Sequence, residues 1–104
     1  MQIAKVHGTV VSTQKNHSLT GVKLLLLQYI DDGGKLLHKY EVAGDRVGAG
    51  IGEWVLVTRG SAARIDQGNE VIPIDAMVVG IIDTVTVEKG LLYSKKDEER
   101  LRQR

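Results

Sequence analysis

Two apolar runs joined by an Asp-Asp-Gly-Gly turn constrain the fold of this chain more than any other feature. Residues 22–30, VKLLLLQYI, contain four consecutive leucines, so a strand formed by them would have no polar face. This pattern predicts a strand that is buried on both faces. Residues 31–34, DDGG, follow, and both residue types tolerate the positive φ angles that tight hairpin turns require. Residues 36–42, LLHKYEV, predict the returning strand. The chain is therefore expected to contain an antiparallel β-hairpin.

Three further segments have the composition of strands. Residues 53–59, EWVLVTR, contain aromatic, β-branched and aliphatic side chains and predict a fourth strand. Residues 76–88, AMVVGIIDTVTVE, predict a long fifth strand with a kink at Gly80. Residues 2–13, QIAKVHGTVVST, predict the first strand, because small or apolar residues alternate with polar ones. The residues expected to share one face are Ala4, Val6, Gly8 and Val10.

A short helix is expected before the last of these strands. In residues 60–65, GSAARI, Gly60 ends the fourth strand, Ser61 can cap free backbone N–H groups, and the alanines favour a helical turn. Residues 66–73 are expected to form a polar loop. The predicted fold is all-β: a small five-stranded antiparallel, OB-like barrel with one short helix before the last long strand.

Length and composition indicate a single domain. A chain of 104 residues is too short for two separate cores, and 12 glycines with no phenylalanine favour tight turns and an aliphatic core. We assign residues 1–93 to one β-barrel domain and residues 94–104, SKKDEERLRQR, to a charged C-terminal tail. Ser94 and Asp97 have capping-box spacing, so the tail is expected to be a solvated helix or a disordered end. The alternative is a docking arm for a partner.

Several classes of function are excluded or disfavoured. The absence of cysteine excludes disulfides, thiolate metal sites and a cysteine nucleophile, and a net charge of +1 argues against a dedicated nucleic-acid binder. No apolar run is long enough to span a bilayer, and the start has no secretory signal, so a cytosolic protein is expected. The three histidines, His7, His17 and His38, lack metal-ligand spacing. Residues 48–52, GAGIG, precede a strand instead of opening a helix, so they are no dinucleotide fingerprint. The sequence predicts neither enzymatic activity nor a cofactor.

Asp83 is the unusual residue of the predicted last strand. It is in phase with a row of apolar side chains and is therefore expected on a buried face. Catalysis would require a second titratable group, and no such group is evident from the spacing. A structural partner is favoured, either backbone amides or an arginine across an interface, because buried charges are paired.

Five blocks of sequence, in order and at fitting spacing, resemble a known family. The blocks are IAKVHGTVVSTQK (3–15), KYEVAGDRVGAG (39–50), EWVLVTRGSAAR (53–64), VVGIIDTV (78–85) and LLYSKKD (91–97). They are similar to the vertex proteins of bacterial microcompartment shells, the EutN/CcmL family. The first and last blocks look most like the carboxysome member. Residues 65–74 and 98–104 carry no family motif.

The resemblance implies a structural role. It implies a five-stranded barrel that assembles into a homopentamer and closes the vertices of an icosahedral shell tiled by hexameric shell proteins. The implied location is the cytoplasm, in the shell of a carboxysome that encloses RuBisCO and carbonic anhydrase. An interior scaffold protein is a further candidate partner, while no nucleic acid or membrane is expected.

Two other classes of function follow from the fold alone. A small β-barrel can bind nucleic acid by stacking bases on aromatic side chains in a basic groove. Here the aromatic residues Tyr29, Tyr40, Trp54 and Tyr93 are scattered along the chain and the net charge is near zero. The third class, a small enzyme, lacks catalytic candidates.

Two groups of residues are candidate assembly sites. The turn after the fourth strand would let five copies approach an axis, and its arginines would favour small anions such as bicarbonate. This pore group consists of Arg59, Gly60, Ser61, Ala62 and Arg64. The second group, expected in a subunit interface or the core, consists of Trp54, Asp83, Gly48 and Gly50. For Trp54 both the barrel core and a subunit edge stay open.

Overall fold

The computed structural model describes residues 1–12, 22–60 and 74–102, and excludes the side chain of Arg102. Within these ranges the elements are β1 (Gln2–Val10), β2 (Lys23–Ile30), β3 (Leu36–Asp45), β4 (Trp54–Arg59), β5 (Ala76–Ile81), β6 (Thr84–Val87), β7 (Gly90–Ser94) and α1 (Lys95–Arg102). The helical turn predicted after Gly60 and the polar loop predicted at 66–73 lie outside the described residues.

Five of the strands form a closed barrel in the order β1-β2-β3-β5-β4. The predicted five-stranded barrel is therefore confirmed. Purely antiparallel pairing is wrong at one seam, because β3 and β5 run parallel where Gly44 pairs with Met77 and Asp45 with Val78. A closed ring with an odd number of strands cannot alternate direction throughout, so at least one parallel pair is unavoidable.

The predicted hairpin between β2 and β3 is present. Asp31 organises its turn, because Asp31 Oδ1 accepts the backbone N–H of Gly33 at 2.9 Å and that of Lys35 at 2.8 Å. Gly34 adopts a φ of 83°, a conformation that favours glycine. The β2 strand is buried on both faces along most of its length, as the run of leucines predicts.

The barrel core is aliphatic, with one tyrosine. Its members are Ala4, Val6, Leu25, Leu27, Tyr29, Ala43, Ala49, Val55, Val57, Ala76 and Val78. The predicted single face of β1 is wrong beyond Val6, because the register against β2 shifts between Val6 and Gly8. An extra residue at this bulge changes the phase of the strand, so Gly8 and Val10 are not buried in the core.

The predicted long last strand is two strands. β5 ends at Ile81, which pairs with Val55. The register against β4 shifts beside Gly80, because Gly80 pairs with Leu56 while Val78 pairs with Val57, so the predicted irregularity at Gly80 is present although the strand does not continue to residue 88. The Ile82 N–H still donates to the Trp54 carbonyl at 2.9 Å, but β4 begins at Trp54, so Asp83 has no residue of β4 to pair with. The chain therefore leaves the barrel at Ile82 and Asp83, and β6 forms a separate antiparallel sheet with β7.

The hairpin and the helix that follows it form a C-terminal arm, defined here as residues 84–102. Ser94 caps α1, because its Oγ accepts the backbone N–H of Asp97 at 3.4 Å, as the capping-box spacing predicts. The described residues of α1 are mostly exposed, with Leu101 the one large apolar side chain among them. No helix in the described ranges is long and apolar enough to cross a bilayer.

Candidate assembly sites

Glu53 joins the glycine-rich loop 46–52 to the C-terminal arm. Its Oε1 accepts the backbone N–H of Gly50 at 2.6 Å, and its Oε2 lies 2.7 Å from Lys95 Nζ at the start of α1. The hydrogen bond with Glu53 raises the pKa of the Lys95 ammonium above its ordinary value. The loop and the arm are therefore positioned by one carboxylate.

Trp54 lies beside this junction and packs against the arm. Its ring stacks on that of Tyr93, with centroids 4.2 Å apart and planes 12° from parallel. Tyr93 is buried, while Trp54 is half-buried and is not a member of the barrel core. The core alternative for Trp54 is therefore wrong. The tryptophan at the head of β4 joins the arm to the barrel, and its place at a subunit edge stays a prediction.

The glycine-rich loop is organised by a buried carboxylate that sequence analysis missed. The Asp45 side chain is fully buried, and its oxygens accept the backbone N–H groups of Val47 at 3.0 Å, Gly48 at 3.3 Å and Ala49 at 2.9 Å. Lys23 Nζ lies 3.9 Å from Asp45 and donates to the Ala49 carbonyl at 3.0 Å. An aspartate directly before a glycine-rich segment is a signal for such a turn.

The two glycines predicted for an interface or the core both lie in this loop. Gly48 has a φ of 82°, which a side chain would strain, although a Cβ there would meet no atom within 4 Å. A Cβ on Gly50 would come within 3.3 Å of Glu53 Oε1, the atom to which its N–H donates. The loop conformation therefore favours glycine at position 48, while a side chain at position 50 would require a small shift of Glu53. Contact with a neighbouring subunit stays a prediction for both glycines.

A second cluster lies where Arg59 at the end of β4 reaches β3. Arg59 forms a two-point ion pair with Glu41, in which Nη2 donates to Oε2 at 3.0 Å and Nε lies 2.9 Å from Oε1. The buried Tyr29 hydroxyl also donates to Glu41 Oε1. Lys39 Nζ lies 4.9 Å from the centre of the Tyr29 ring.

The pKa values of this cluster follow from its contacts. Burial acts to raise the pKa of the Glu41 carboxyl, but the hydrogen bonds from Tyr29 and Arg59 outweigh burial and hold it below its ordinary value. Burial, followed by the hydrogen bond to Glu41, raises the pKa of Tyr29, so the phenol stays neutral. The cluster is therefore an ion pair with a neutral phenol as an additional donor.

The structure describes only the first two residues of the predicted pore group. Arg59 has a side chain that is 42% exposed and is engaged by Glu41 within its own subunit. Gly60 has a φ of 74° and donates its N–H to the Asp75 carbonyl at 2.9 Å. Ser61, Ala62 and Arg64 lie outside the described residues. Placement of this group at a five-fold axis stays a prediction.

Asp83 does not lie on a buried face, contrary to expectation. It is exposed because the strand ends before it, and it lines a surface cleft with Thr84, Ser94, Lys95, Lys96 and Glu99. Its carbonyl accepts the backbone N–H of Lys95 at 2.8 Å and so helps to hold the start of α1. A role for its carboxylate in a subunit interface stays a prediction.

The described residues contain no group of three or more His, Cys, Asp or Glu side chains that could hold a metal ion. His7 makes an edge-on contact with Tyr40, with ring centroids 5.4 Å apart. The organised features of the described chain are a loop fixed by hydrogen bonds, an aromatic stack and salt bridges, all of them formed within one chain.

Comparison with known proteins decides the family. A family model described as ethanolamine utilisation protein EutN/carboxysome matches residues 1–83. The chain belongs to the EutN/CcmL family. The match includes the barrel, the glycine-rich loop and Trp54, and it ends at Asp83, where the chain leaves the barrel.

Members of the EutN/CcmL family resemble this chain over nearly its whole length. The carboxysome shell vertex protein CcmL of Synechocystis sp. is 66% identical over 100 residues, covering 96% of this chain and 100% of that protein. The solved structure of CcmL from Gloeobacter violaceus gives a TM-score of 0.87 at 63% identity, covering 93% of this chain and 100% of that one. GrpN, a pentameric microcompartment shell protein from Rhodospirillum rubrum, gives a TM-score of 0.74 at 47% identity, with coverages of 84% and 98%.

Proposed function

We propose that this chain is a structural shell protein that forms homopentamers at the vertices of a carboxysome. The observation that carries the proposal is its 66% identity, over the full length of the relative, to a carboxysome shell vertex protein. The relative from Rhodospirillum rubrum, at 47% identity, supports the pentameric state.

The physical role of such a pentamer is curvature. A flat hexagonal layer of shell hexamers cannot close on itself, and five-fold units at the corners supply the curvature that an icosahedral shell requires. We therefore propose hexameric shell proteins as the neighbours of the pentamer in the shell. An interior scaffold protein is a further proposed partner, with the exposed charged helix α1 as its candidate contact.

A closed ring of five requires heterologous contacts, in which one surface of each copy fits a different surface of the next. Native mass spectrometry and sedimentation of the full chain test this directly. We expect a species of five times the 11.4 kDa subunit mass at micromolar concentration. A chain that remains monomeric or dimeric under these conditions would contradict the proposal and reopen the nucleic-acid-binding alternative.

The vertex role has a separate test. The full chain should be mixed with purified hexameric shell proteins, and the products should be compared with hexamers alone by electron microscopy. Closed polyhedral particles are expected only in the mixture, whereas hexamers alone should give sheets or tubes. Pentamers that never enter closed particles would remove the vertex role while leaving the oligomer intact.

We also propose that the group around Arg59 and Arg64 lies near the five-fold axis and gives the opening a preference for small anions. Arg59 is held by Glu41, so its charge is largely balanced within the subunit. Arg64 therefore supplies most of the proposed preference. Measuring the distances of both guanidinium groups from the axis in a crystal structure of the ring tests this, and outer-rim positions for both would contradict it.

A further inference from the structure

The glycine-rich loop is held by two carboxylates, one for each half. Asp45, the last residue of β3, accepts the backbone N–H groups of residues 47–49. The second half of the loop continues into Glu53 as a turn of residues 50–53, which the Glu53 N–H closes by donating to the Gly50 carbonyl at 3.2 Å. The Glu53 carboxylate accepts the Gly50 N–H at 2.6 Å. The two halves of the loop are therefore fixed by different side chains.

Glu53 connects the turn 50–53 to the C-terminal arm. Its Oε1 accepts the N–H of the turn, while its Oε2 lies 2.7 Å from Lys95 Nζ at the start of α1. Only 28% of the Lys95 side chain and 16% of the Glu53 side chain are exposed, so salt screens this pair less than a fully exposed one. Because one carboxylate makes both contacts, Lys95 holds it in the orientation that the turn requires.

The arm has few other attachments to the barrel. Tyr93 stacks on Trp54, and Leu92 lies over Gly34 in the β2–β3 turn, where an added Cβ would come within 3.1 Å of the leucine side chain. In the described ranges β6 and β7 form a sheet of their own, and a two-stranded sheet is marginally stable alone in water. We therefore expect the arm to dock on the barrel, and to leave it, as one unit.

The ion pair between the arm and the turn can open without leaving Lys95 unpaired. Glu99 Oε1 lies 4.0 Å from Lys95 Nζ, one helical turn along α1. The ammonium therefore keeps a carboxylate partner within the arm when it leaves Glu53. Partly exposed ion pairs contribute little to stability, so opening this one costs little. The attachment at Glu53 has the properties of a reversible contact.

We propose that the C-terminal arm is a latch, whose docked state holds the turn 50–53 of the glycine-rich loop through Glu53. Docking of the arm and order in the turn then stabilise each other, and this coupling acts in both directions. A partner that binds the released arm loosens the turn, and a partner that binds the ordered turn keeps the arm docked. Residues 47–49 are not affected, because Asp45 fixes them from the barrel.

Hydrogen exchange of individual backbone amides, measured by NMR on the full chain, tests the ionic part of the latch. Lys95→Met removes the ammonium, and Lys96→Met makes the same change at the next residue, which is exposed. We expect Lys95→Met to accelerate exchange at Gly50 and Glu53 about two- to five-fold, the range for a partly exposed ion pair. Lys96→Met should leave both rates unchanged, and Lys95→Arg should restore the wild-type rates.

Leu92→Ala tests the coupling from a different point of contact. It weakens the contact of the arm with the β2–β3 turn and leaves Glu53 and Lys95 in place. We expect amides of β6 and β7 to exchange at least about three-fold faster, and the Gly50 amide to follow them. Leu91→Ala is the matched control, because the Leu91 side chain is 58% exposed and should change neither.

The outcomes separate the latch from general loosening. If Leu92→Ala accelerates exchange in the arm while Gly50 keeps its wild-type rate, or if Lys95→Met does no more than Lys96→Met, the proposal is overturned. Equal acceleration at residues 47–49 and in β2 would also overturn it, because the whole subunit would then be opening. The latch belongs to the single chain, so sedimentation that shows no pentamer contradicts the proposed function and leaves this test unaffected.

Discussion

The barrel and the C-terminal arm are stabilised in different ways. Each of the five barrel strands pairs with two neighbours, and the strands enclose a continuous apolar core. The arm has a two-stranded sheet of its own and attaches through the Trp54–Tyr93 stack, the Glu53–Lys95 ion pair and the backbone bond from Lys95 to Asp83. Leu92 of β7 also lies over Gly34 in the β2–β3 turn, where an added Cβ would come within 3.1 Å of the leucine side chain. An isolated two-stranded hairpin is marginally stable in water, so these attachments determine where the arm lies.

Because of this difference, the stability of the barrel and the position of the arm depend on different residues. The barrel keeps its structure through buried area spread over many residues, while the arm depends on a few contacts at its base. Glu53 places the start of α1 next to the glycine-rich loop, since it binds both Gly50 and Lys95. The glycine-rich loop and the arm are thus positioned by a small polar and aromatic junction, and variants can affect one region without the other.

The largest expected effect is in the barrel. Leu27→Ala truncates a fully buried β2 side chain and should lower the free energy of unfolding by about 3–4 kcal/mol, through lost burial and a residual cavity. Denaturant unfolding at a fixed protein concentration measures this. The matched control in the arm, Leu91→Ala, removes a side chain that is 58% exposed and should change the value by less than about 0.5 kcal/mol. Equal effects would show that the two regions do not differ as described.

Trp54→Ala should have the next largest effect and should act mainly on the arm. The side chain is half-buried, so we expect the free energy of unfolding to fall by about 2–3 kcal/mol, which is less than for a fully buried aromatic residue. Amides of β6 and β7 should exchange with solvent faster, while those of β2 should change less. Trp54→Phe keeps a ring against Tyr93 and serves as the control. Uniform loss of protection across the barrel would mean that Trp54 supports the core instead.

Asp45→Asn tests the rigidity of the loop that the barrel carries. The amide has one acceptor oxygen in place of two, and it has no charge to strengthen the bonds to three N–H groups. We expect the free energy of unfolding to fall by about 1–2 kcal/mol, and the backbone amides of Val47, Gly48 and Ala49 to exchange faster with solvent. Asp32→Asn, on an exposed turn, is the control. Unchanged protection of the loop amides would show that Ala49 packing alone fixes the loop.

The smallest expected effect is pH-dependent and lies in the Arg59 cluster. The pKa of Glu41 is lower in the folded chain than in the unfolded chain, so its contacts stabilise the fold above about pH 4.3. This contribution is lost as the pH falls through the folded pKa. Glu41→Gln should therefore cost about 1 kcal/mol or less at neutral pH, and the difference from wild type should vanish in acid. Stability curves from pH 2 to 7 measure this.

A control separates the ion pair from the phenol in this cluster. Tyr29→Phe removes only the hydroxyl that donates to Glu41, so it should reduce the pH dependence without abolishing it. If the difference in the free energy of unfolding between Glu41→Gln and wild type is the same at every pH, the Arg59–Glu41 pair does not contribute through ionisation.

Sequence patterns predicted the features that depend on neighbouring residues. The leucine run of β2, the Asp31 turn, strand β4 and the cap at Ser94 are all present, because local propensity and burial point to the same conformation there. The resemblance of the five blocks to the EutN/CcmL family predicted the family and the barrel. Prediction failed at Asp83, because the apolar alternation continues along residues 76–88, whereas β4 begins at Trp54 and leaves no residue to pair with beyond Ile82.

By itself the sequence determined the strand-forming segments, the tight turns, the aliphatic core and the family, since each is recorded in local composition or in extended similarity. Tertiary structure decided the rest. Closure of five strands imposed the parallel β3–β5 seam, and folding brought Glu41 to Arg59 across 18 residues and Lys95 to Glu53. It also placed Trp54 on Tyr93 and fully buried the Asp45 side chain beneath its loop. These contacts join residues far apart in the chain, and local propensity carries no information about which distant groups become neighbours.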